Sequence, residues 1–423
     1  MKKNVRILSF AFFLCNVIVG FSQTINISPH RIESIDYNRL ARIDTLFNTY
    51  IQNGWIKGAV TIIVKDNQLV QNKGYGYADE ESKMMMKSNS MFRIMSQTKA
   101  ITSVGIMMLF EQGKFYLDEP VSDFIPEFKH PVVLNTYNPA DTTYTTVPAN
   151  REITFRDLLT HSSGIDYPEI GSDNMKAIYA KGRIPGGLGN IAATLGDKMK
   201  ALGKLPLAHQ PGEKFTYGLN TDLLGYLIEV MSDMSLEEYL AKKIFQPLGM
   251  RDTYFNVPSD KADRLAAVYT EDSPNHIIRW SKTFRNINPD YPLMQKHYFS
   301  GGAGLTSTAF DYAVFLQMLL NKGRYNGIQI LSPRTVEMMT TEQLDFLING
   351  KDSFGLGFEI TSVKTARYEP RNEGSFGWGG YYGTVYWADP KANLVCLYMI
   401  QHTPNSHWEL EKKFEELVYQ SLK

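Results

Sequence analysis

A serine and a lysine three residues apart, Ser96 and Lys99, open a long apolar stretch of the chain. A serine hydroxyl attacks a carbonyl carbon only when a neighbouring base removes its proton. A lysine amine becomes such a base when burial or nearby positive charge lowers its pKa. No other serine in the sequence has a lysine three positions later. The pair therefore predicts a nucleophile with its base, and the competing interpretation is a helix N-cap serine followed by a surface lysine.

The apolar residues after this pair have the spacing of a buried helix. Positions 100, 101, 104, 107 and 108 form one helical stripe, and positions 106, 109 and 110 are apolar on the other side. Gly113 with Lys114 indicates the end of the helix. Residues three apart share a helix face, so Ser96 and Lys99 are expected to point into one space from the first turn.

The composition is that of a globular protein. The chain has 423 residues, of which 43% are hydrophobic and 21% charged, and its formal net charge is zero. This length suits one large domain or two closely packed ones, and the absence of a concentrated basic patch argues against a nucleic-acid partner. Histidine and cysteine lack zinc-site spacing, so no metal or cofactor is predicted. Cys396 lies in an apolar run and is expected to be a buried strand residue.

Residues 1–22 have the pattern of a secretory signal peptide. Three basic residues precede an apolar run over 7–20, which is too short to span a membrane, and small residues before Gln23 suit a cleavage site. We expect a periplasmic or secreted protein without stable membrane insertion after cleavage. The bulky Leu14 argues against a lipid anchor on Cys15.

Strand patterns concentrate near the two chain ends and helical patterns in the middle. Short strands are predicted over 59–64 and 69–77, and further strands follow residue 354 before a final helix over 408–422. The polar, Thr-rich run over 135–150 predicts an exposed hairpin or loop beside the site, and 171–195 is expected to be irregular.

The simplest arrangement of these elements is an α/β fold with an α+β layout. It has an antiparallel sheet built from both chain ends, flanking helices and an inserted all-helical subdomain. After the signal peptide over 1–22, a single catalytic domain is expected over 24–423. Its sheet part would cover about 24–94 plus 300–423, and its helical part about 95–299.

Five separated motifs occur in an order that is more specific than any one of them. They are SQTK at 96–99, LLTHSSG at 158–164, PGEKFTYGL at 211–219, SGGAGL at 300–305 and GWGGYYGT at 377–384. Together they resemble the serine β-lactamase-related family. The likeness is greater to its class C-like branch, which includes class VIII carboxylesterases, secondary acyltransferases and D-amino-acid peptidases. The resemblance covers residues 35–401 and implies the β-lactamase/transpeptidase-like fold of the penicillin-binding proteins.

The resemblance implies a catalytic role for three residues. Ser96 would be the acylated nucleophile, Lys99 would help to deprotonate it, and Tyr217 would be the shared general acid and base. A phenol has a pKa near 10, so Tyr217 needs a nearby ammonium, such as that of Lys99, to ionise at neutral pH. The two groups would titrate together, and which is the principal base stays open. The alternative for Tyr217 is a half-buried core aromatic residue.

The last motif would border the substrate. The backbone N–H groups of Ser96 and Tyr381 would form the oxyanion hole. Antibiotic-directed members carry lysine and asparagine where this chain has Trp378 and Leu219, and losing both polar partners favours a neutral or acyl-chain substrate over a carboxylate. The substrate-binding residues would be Trp378, Gly379, Gly380 and Leu219.

Two further patterns are interpreted as structural. Ser172-Asp173-Asn174 matches a class A β-lactamase motif, but it lies in a Gly-flanked loop with no buried helix predicted beside it. His161 could join Asp157 or Asp166 in a Ser–His–Asp triad. However, Ser96 lacks the strand–turn–helix elbow and the G-x-S-x-G sequence of α/β hydrolases. We expect His161 to close its own helix.

These patterns together predict a serine hydrolase that works through an acyl-enzyme. The first hypothesis is a carboxylesterase acting on small acyl esters. The second is a D-amino-acid peptidase, an acyltransferase or a weak β-lactamase, and the third is a catalytically silent binding module. The expected partner is a small-molecule ester or peptide substrate.

Overall fold

Strands from both chain ends form one antiparallel sheet. This computed structural model describes residues 24–27, 31–187, 192–281 and 287–423. Within them the sheet has eight strands, in the order Ser353–Phe354, Glu359–Ile360, Phe376–Gly380, Thr384–Asp389, Leu394–Met399, Gly58–Lys65, Gln68–Asp79 and Met84–Met85. All of its pairs are antiparallel, which confirms the predicted fold class. The strands are β1 (Gly58–Lys65), β2 (Gln68–Asp79), β3 (Met84–Met85), β12 (Ser353–Phe354), β13 (Glu359–Ile360), β14 (Phe376–Gly380), β15 (Thr384–Asp389) and β16 (Leu394–Met399).

Helices cover both faces of this sheet because its central strands are apolar on both sides. On β1, Ala59 and Ile63 belong to the apolar cluster that includes α2 and α12, whereas Val60 and Ile62 belong to the larger core with α10. Cys396 on β16 is buried, as predicted. The helices concerned are α1 (Tyr37–Leu40), α2 (Arg42–Gln52), α10 (Ala309–Leu320) and α12 (Leu410–Tyr419).

The middle of the chain is mainly helical, with two hairpins. The prediction of an all-helical insert is therefore wrong, because β5 with β6 and β7 with β8 form antiparallel pairs. The first pair is the predicted exposed hairpin. The division of the domain into sheet and helical parts stays a prediction. The elements are α3 (Thr98–Glu111), β5 (Val132–Asn138), β6 (Thr143–Pro148), α4 (Phe155–Leu159), α5 (Asp173–Lys181), α6 (Leu195–Leu202), α7 (Asn220–Ser232), α8 (Leu236–Leu240), a π-helical turn (Ala241–Phe245), α9 (Gln246–Leu248), β7 (Tyr269–Ser273) and β8 (His276–Arg279).

Helix α5 lies in a segment for which the sequence predicts no regular structure. Met175, Ile178 and Tyr179 are buried on one side of it, with the spacing of a helix. Several glycines flank this helix on either side. They indicate a loop, so the helical spacing of the apolar residues between them is hard to recognise in the sequence. The expectation that no buried helix adjoins Ser172-Asp173-Asn174 is therefore also wrong, although Asp173 itself points into solvent with a 98% exposed side chain.

Smaller elements complete the fold. The predicted signal peptide over 1–22, with Cys15, lies outside the described residues. No helix in the described ranges is long and apolar enough to cross a bilayer. The remaining elements are β4 (Phe92–Arg93), β9 (Thr306–Ser307), β10 (Arg324–Tyr325), β11 (Ile328–Gln329) and α11 (Pro333–Met339).

Candidate active site

Ser96 lies in a tight turn between β4 and α3. The turn is a 3₁₀ helix over Met95–Gln97, so Ser96 precedes the α-helix. The prediction that Ser96 lies in the first turn of this helix is therefore wrong. Met95 has a positive φ of 50°, a conformation that costs a non-glycine residue energy and is common at functional sites. The hydroxyl of Tyr312 on α10 donates to the carbonyl oxygen of Gln97 at 2.8 Å. This hydrogen bond from α10 therefore helps to hold the turn in place.

Lys99 is buried one turn along from Ser96, with only 4% of its surface exposed. Its Nζ lies 3.4 Å from Ser96 Oγ, so the predicted pair does meet. The same amine donates to the carbonyl oxygen of Gly302 at 2.8 Å and lies 3.1 Å from the hydroxyl of Tyr167. Helix α3 is buried up to Met107, which confirms the predicted buried helix and excludes a snorkelling surface lysine.

Tyr217 reaches Ser96 from the segment that leads into α7. Its hydroxyl donates to Ser96 Oγ at 2.6 Å, and Trp378 Nε1 donates to the Tyr217 oxygen at 3.3 Å. Lys99 Nζ lies 4.6 Å from the centroid of the Tyr217 ring. The backbone on the N-terminal side of Tyr217 is fixed by a hydrogen bond from Thr216 N to His161 O at 2.7 Å. The three predicted catalytic residues thus form one connected cluster.

Tyr167 and Asp222 belong to this cluster and were not predicted. Burial raises the pKa of Tyr167 well above 10, and the charges of Tyr217 and Asp222 add to that effect. Burial raises the pKa of Asp222 to about 6, against the hydrogen bond from Ser300 and the charge of Lys99. Asp222 was detectable as an acidic residue at the start of an apolar helix, whereas Tyr167 carries no local sequence signal.

The backbone of the SGGAGL motif lies between the side chains of Lys99 and Asp222. A Cβ added to Gly302 would lie 2.5 Å from Asp222 Oδ2, so a side chain cannot be placed there without a shift. Asp222 Oδ2 has no hydrogen-bond partner among the described residues, whereas Oδ1 lies 3.3 Å from the hydroxyl of Tyr298. A buried carboxylate therefore lies close to Lys99 on the other side of the Gly302 backbone.

His161 has a structural position, as predicted. It is buried just after α4 with a positive φ of 55°, and the amide nitrogen of Asn220 lies 2.9 Å from its Nδ1. Burial lowers its pKa well below 6.5, and the charge of Lys99 acts in the same direction. The carboxylate of Asp157 binds Arg151 at 2.8 Å, and that of Asp166 binds Ser172 at 2.8 Å. No Ser–His–Asp triad forms among the described residues.

The edge of β14 borders the turn that carries Ser96. A Cβ added to Gly380 would lie 2.5 Å from the carbonyl oxygen of Ile94, so the two backbones approach closely there. Trp378, Gly379 and Tyr381 line the same cavity as Ser96. This places both predicted oxyanion-hole residues, Ser96 and Tyr381, at one cavity wall. Their roles as backbone donors stay a prediction.

Leu219 does not border the cavity, and the prediction of a substrate contact there is wrong. Its exposure is 0%, and it packs in the core with Leu223, which follows one turn later in α7. The start of α7 turns this side chain inward. None of the residues of the exposed hairpin of β5 and β6 lines this cavity.

The cavity itself has a volume of about 440 Å³ and is open to solvent. Aromatic rings dominate its walls near Ser96, namely those of Tyr167, Tyr217, Trp378 and Tyr381. Within the described ranges, no three His, Cys, Asp or Glu side chains are grouped so that they could hold a metal ion. The arrangement can form an ester on Ser96 with a proton donor and acceptor in contact.

Comparisons with known proteins agree with this geometry. A family model described as Beta-lactamase matches residues 43–420. Protein Rv1367c of Mycobacterium tuberculosis (strain ATCC 25618 / H37Rv) is 34% identical over 368 residues, which cover 83% of this chain and 87% of that protein. Esterase EstB of Burkholderia gladioli is 26% identical over 377 residues, which cover 84% and 89% respectively.

A solved structure shares the same architecture. EstCE1, described as a hydrolase with promiscuous acyltransferase activity, superposes with a TM-score of 0.78 at 26% identity. The superposition covers 90% of this chain and 99% of that one. The family resemblance carried by the five motifs is thereby confirmed, and the chain belongs to the beta-lactamase family of serine hydrolases, with the penicillin-binding-protein fold.

Proposed function

We propose that the protein is a carboxylesterase that hydrolyses small acyl esters through an acyl-enzyme on Ser96. The observation that carries this proposal is the 2.6 Å contact between Tyr217 and Ser96 Oγ beside the buried amine of Lys99. It joins a nucleophile to two groups that could accept its proton.

The reaction would proceed in two similar halves. Ser96 Oγ attacks the ester carbonyl carbon, its proton passes to the Lys99–Tyr217 pair, and the carbonyl oxygen becomes an oxyanion near the N–H groups of Ser96 and Tyr381. The bond to the alcohol then breaks, and Tyr217 gives the proton to the leaving oxygen. Water next attacks the acyl-enzyme, loses its proton to the same pair and releases the carboxylic acid. Lys99 and Tyr217 remain alternative first acceptors.

Trp378 supports a neutral ester as the substrate. It occupies the position at which antibiotic-directed relatives hold a lysine, and it offers one N–H donor, which already binds Tyr217 at 3.3 Å. A β-lactam carboxylate would therefore find no ammonium at this position, whereas an acyl chain gains apolar contact with the indole ring.

Acyl transfer to an alcohol is the second candidate activity. The observation that favours it is the likeness to EstCE1, which is described as a hydrolase with promiscuous acyltransferase activity. The same acyl-enzyme would serve, with an alcohol replacing water in the second half. Adding a primary alcohol during ester turnover and measuring the new ester by mass spectrometry distinguishes transfer from hydrolysis.

Covalent labelling of Ser96 tests the proposal. A fluorophosphonate should add to Ser96 in the wild-type protein, and Ser96→Ala should abolish both labelling and hydrolysis of p-nitrophenyl esters. Ser232→Ala, at the far end of α7, is a matched control that should retain both. Labelling at another residue, or no labelling of folded protein, contradicts the assignment and leaves a silent binding module.

A substrate screen then ranks the alternatives. p-Nitrophenyl esters of varied chain length should be turned over with higher kcat/KM than nitrocefin or D-Ala-D-Ala peptides. Higher activity on the peptides would instead identify a D-amino-acid peptidase.

We also propose that the protein is exported, as the pattern of residues 1–22 suggests. Cell fractionation should recover it outside the cytoplasm, with Gln23 as the first residue by mass spectrometry. Recovery of the uncleaved chain from the cytoplasm would contradict export.

A further inference from the structure

The cavity beside Ser96 extends along β14 to a charged end formed by Glu359, Arg371 and Glu411. Glu359 lies on β13 opposite Gly377, and Glu411 lies in the first turn of α12. Strand β13 has two residues and pairs only with the first two of β14 in the described chain. The rest of the β14 edge is therefore open, and the cavity follows it from the nucleophile to the charged end.

Arg371 does not provide a free positive charge. Its Nη2 lies 3.0 Å from a carboxylate oxygen of Glu411 and also contacts the carboxylate of Glu415. Its guanidinium carbon lies 5.0 Å from the ring centroid of Trp387. Two carboxylates bound to one guanidinium leave no net positive charge to attract a substrate anion.

Unlike Arg371, Glu359 has no ion-pair partner among the described residues. It is half-buried, and its side chain makes no hydrogen bond or ion pair with any residue the structure describes. Its pKa is raised to about 7, first by burial and then by the charge of Asp352, while the charge of Arg371 opposes the shift. A carboxylate in this position is stabilised by any cation that enters the cavity.

The whole cavity has an excess of acidic groups. Its lining includes three acidic side chains, those of Glu169, Glu359 and Glu411, against the single guanidinium of Arg371, and burial raises the pKa of Glu169 and of Glu359. Four aromatic rings line the same cavity, and the faces of such rings attract ammonium groups. Carboxylates and aromatic faces together favour a cation and disfavour an anion.

We propose that the charged end of the cavity, with Glu359 as its main contact, binds a positively charged ammonium group on the acyl part of the substrate. The inference rests on the proposed esterase function, because it names the substrate class for the cavity of Ser96. The physiological substrates would then be esters of cationic acids.

Matched ester series test this preference. One series of p-nitrophenyl esters has acyl chains that end in trimethylammonium, a second replaces that group by neutral tert-butyl, and a third ends in carboxylate. We expect kcat/KM about tenfold higher or more for the cationic member at the best chain length, and the lowest values for the carboxylate series. Equal values for the cationic and neutral series, or a preference for carboxylate, would overturn the inference.

Variants locate the contact. Glu359→Gln should reduce the cationic-to-neutral ratio of kcat/KM towards one. Glu373→Gln, on an exposed glutamate paired with Lys391, is the control and should leave the ratio unchanged. If Glu359→Gln does not fold, butyltrimethylammonium should still compete with the neutral ester in the wild-type protein, whereas an uncharged analogue should not. An unchanged ratio in folded Glu359→Gln would refute the assignment.

Binding without turnover separates this inference from the proposed function. Ser96→Ala should bind butyltrimethylammonium in calorimetry although it cannot be acylated. If the cation binds but no ester is hydrolysed by the wild-type protein, the binding site stands and the esterase proposal fails. If neutral esters are hydrolysed but no cation binds, the esterase proposal stands and the cation site fails.

Discussion

Replacing Asp222 by asparagine should increase the stability of the protein relative to wild type as the pH rises from acidic to neutral. Asp222 is fully buried, and its pKa is raised from 3.8 to about 6. A difference of about two pKa units corresponds to roughly 3 kcal/mol between the ionised and protonated forms. The folded state therefore carries that cost whenever the carboxylate is ionised.

The sign of the pH dependence follows from the raised pKa. Below about pH 4, Asp222 is protonated in both the folded and the unfolded protein, so its full contribution to stability is present. As the pH rises through 6, the folded protein loses this contribution. Asparagine does not titrate, so Asp222→Asn should gain stability relative to wild type, by roughly 3 kcal/mol between pH 4 and pH 7.

Urea unfolding at several pH values measures this difference. The new amide can weaken the hydrogen bond from Tyr298. Such a loss changes the stability difference by the same amount at every pH, because the Tyr298 phenol stays protonated over this range. Asp173→Asn, whose side chain is 98% exposed, is the control and should show no such trend. A stability difference that is constant with pH, or that falls as pH rises, would refute the reasoning.

Two further substitutions examine the groups around Ser96. Tyr217→Phe should lower kcat/KM for a p-nitrophenyl ester by about 10² or more because it removes the hydroxyl in contact with Ser96, while Tyr226→Phe on α7 should act like wild type. A rate within a few-fold of wild type would move the acid and base role elsewhere. Trp378→Lys should shift the ratio of kcat/KM towards nitrocefin by roughly ten- to a hundredfold, since it restores a cation for the β-lactam carboxylate. An unchanged ratio in a folded variant would exclude Trp378 as the cause of the selectivity.

Residues carried by short motifs could be predicted from the sequence. Ser96, Lys99 and Tyr217 each belong to a local pattern, and the structure brings them within hydrogen-bonding or ring-contact distance. Tyr167 could not be found in this way, because it meets Lys99 across 68 residues of chain through tertiary packing alone. The same is true of Glu359, which enters the cavity only because β13 pairs with β14.

The errors in the fold have local causes. Leu219 was assigned to the substrate because relatives hold a polar residue there, but the orientation of α7 directs its side chain into the core. Helix α5 is hard to predict because the glycines on either side of it indicate a loop, although the apolar spacing within it is helical. The sheet was predictable because the short apolar runs near both chain ends leave few other ways to bury those residues.

The pairing of β1 with β16 also sets the time at which the protein can become active. Val60 lies opposite Met399, and the backbone N–H of Asp36 donates to the carbonyl of Ser421. During synthesis, the apolar faces of β1 and α2 therefore stay uncovered until β16 and α12 have emerged. The helices of the middle segment can form before β16 is synthesised. Hydrolytic activity should therefore appear only after β16 has paired with β1.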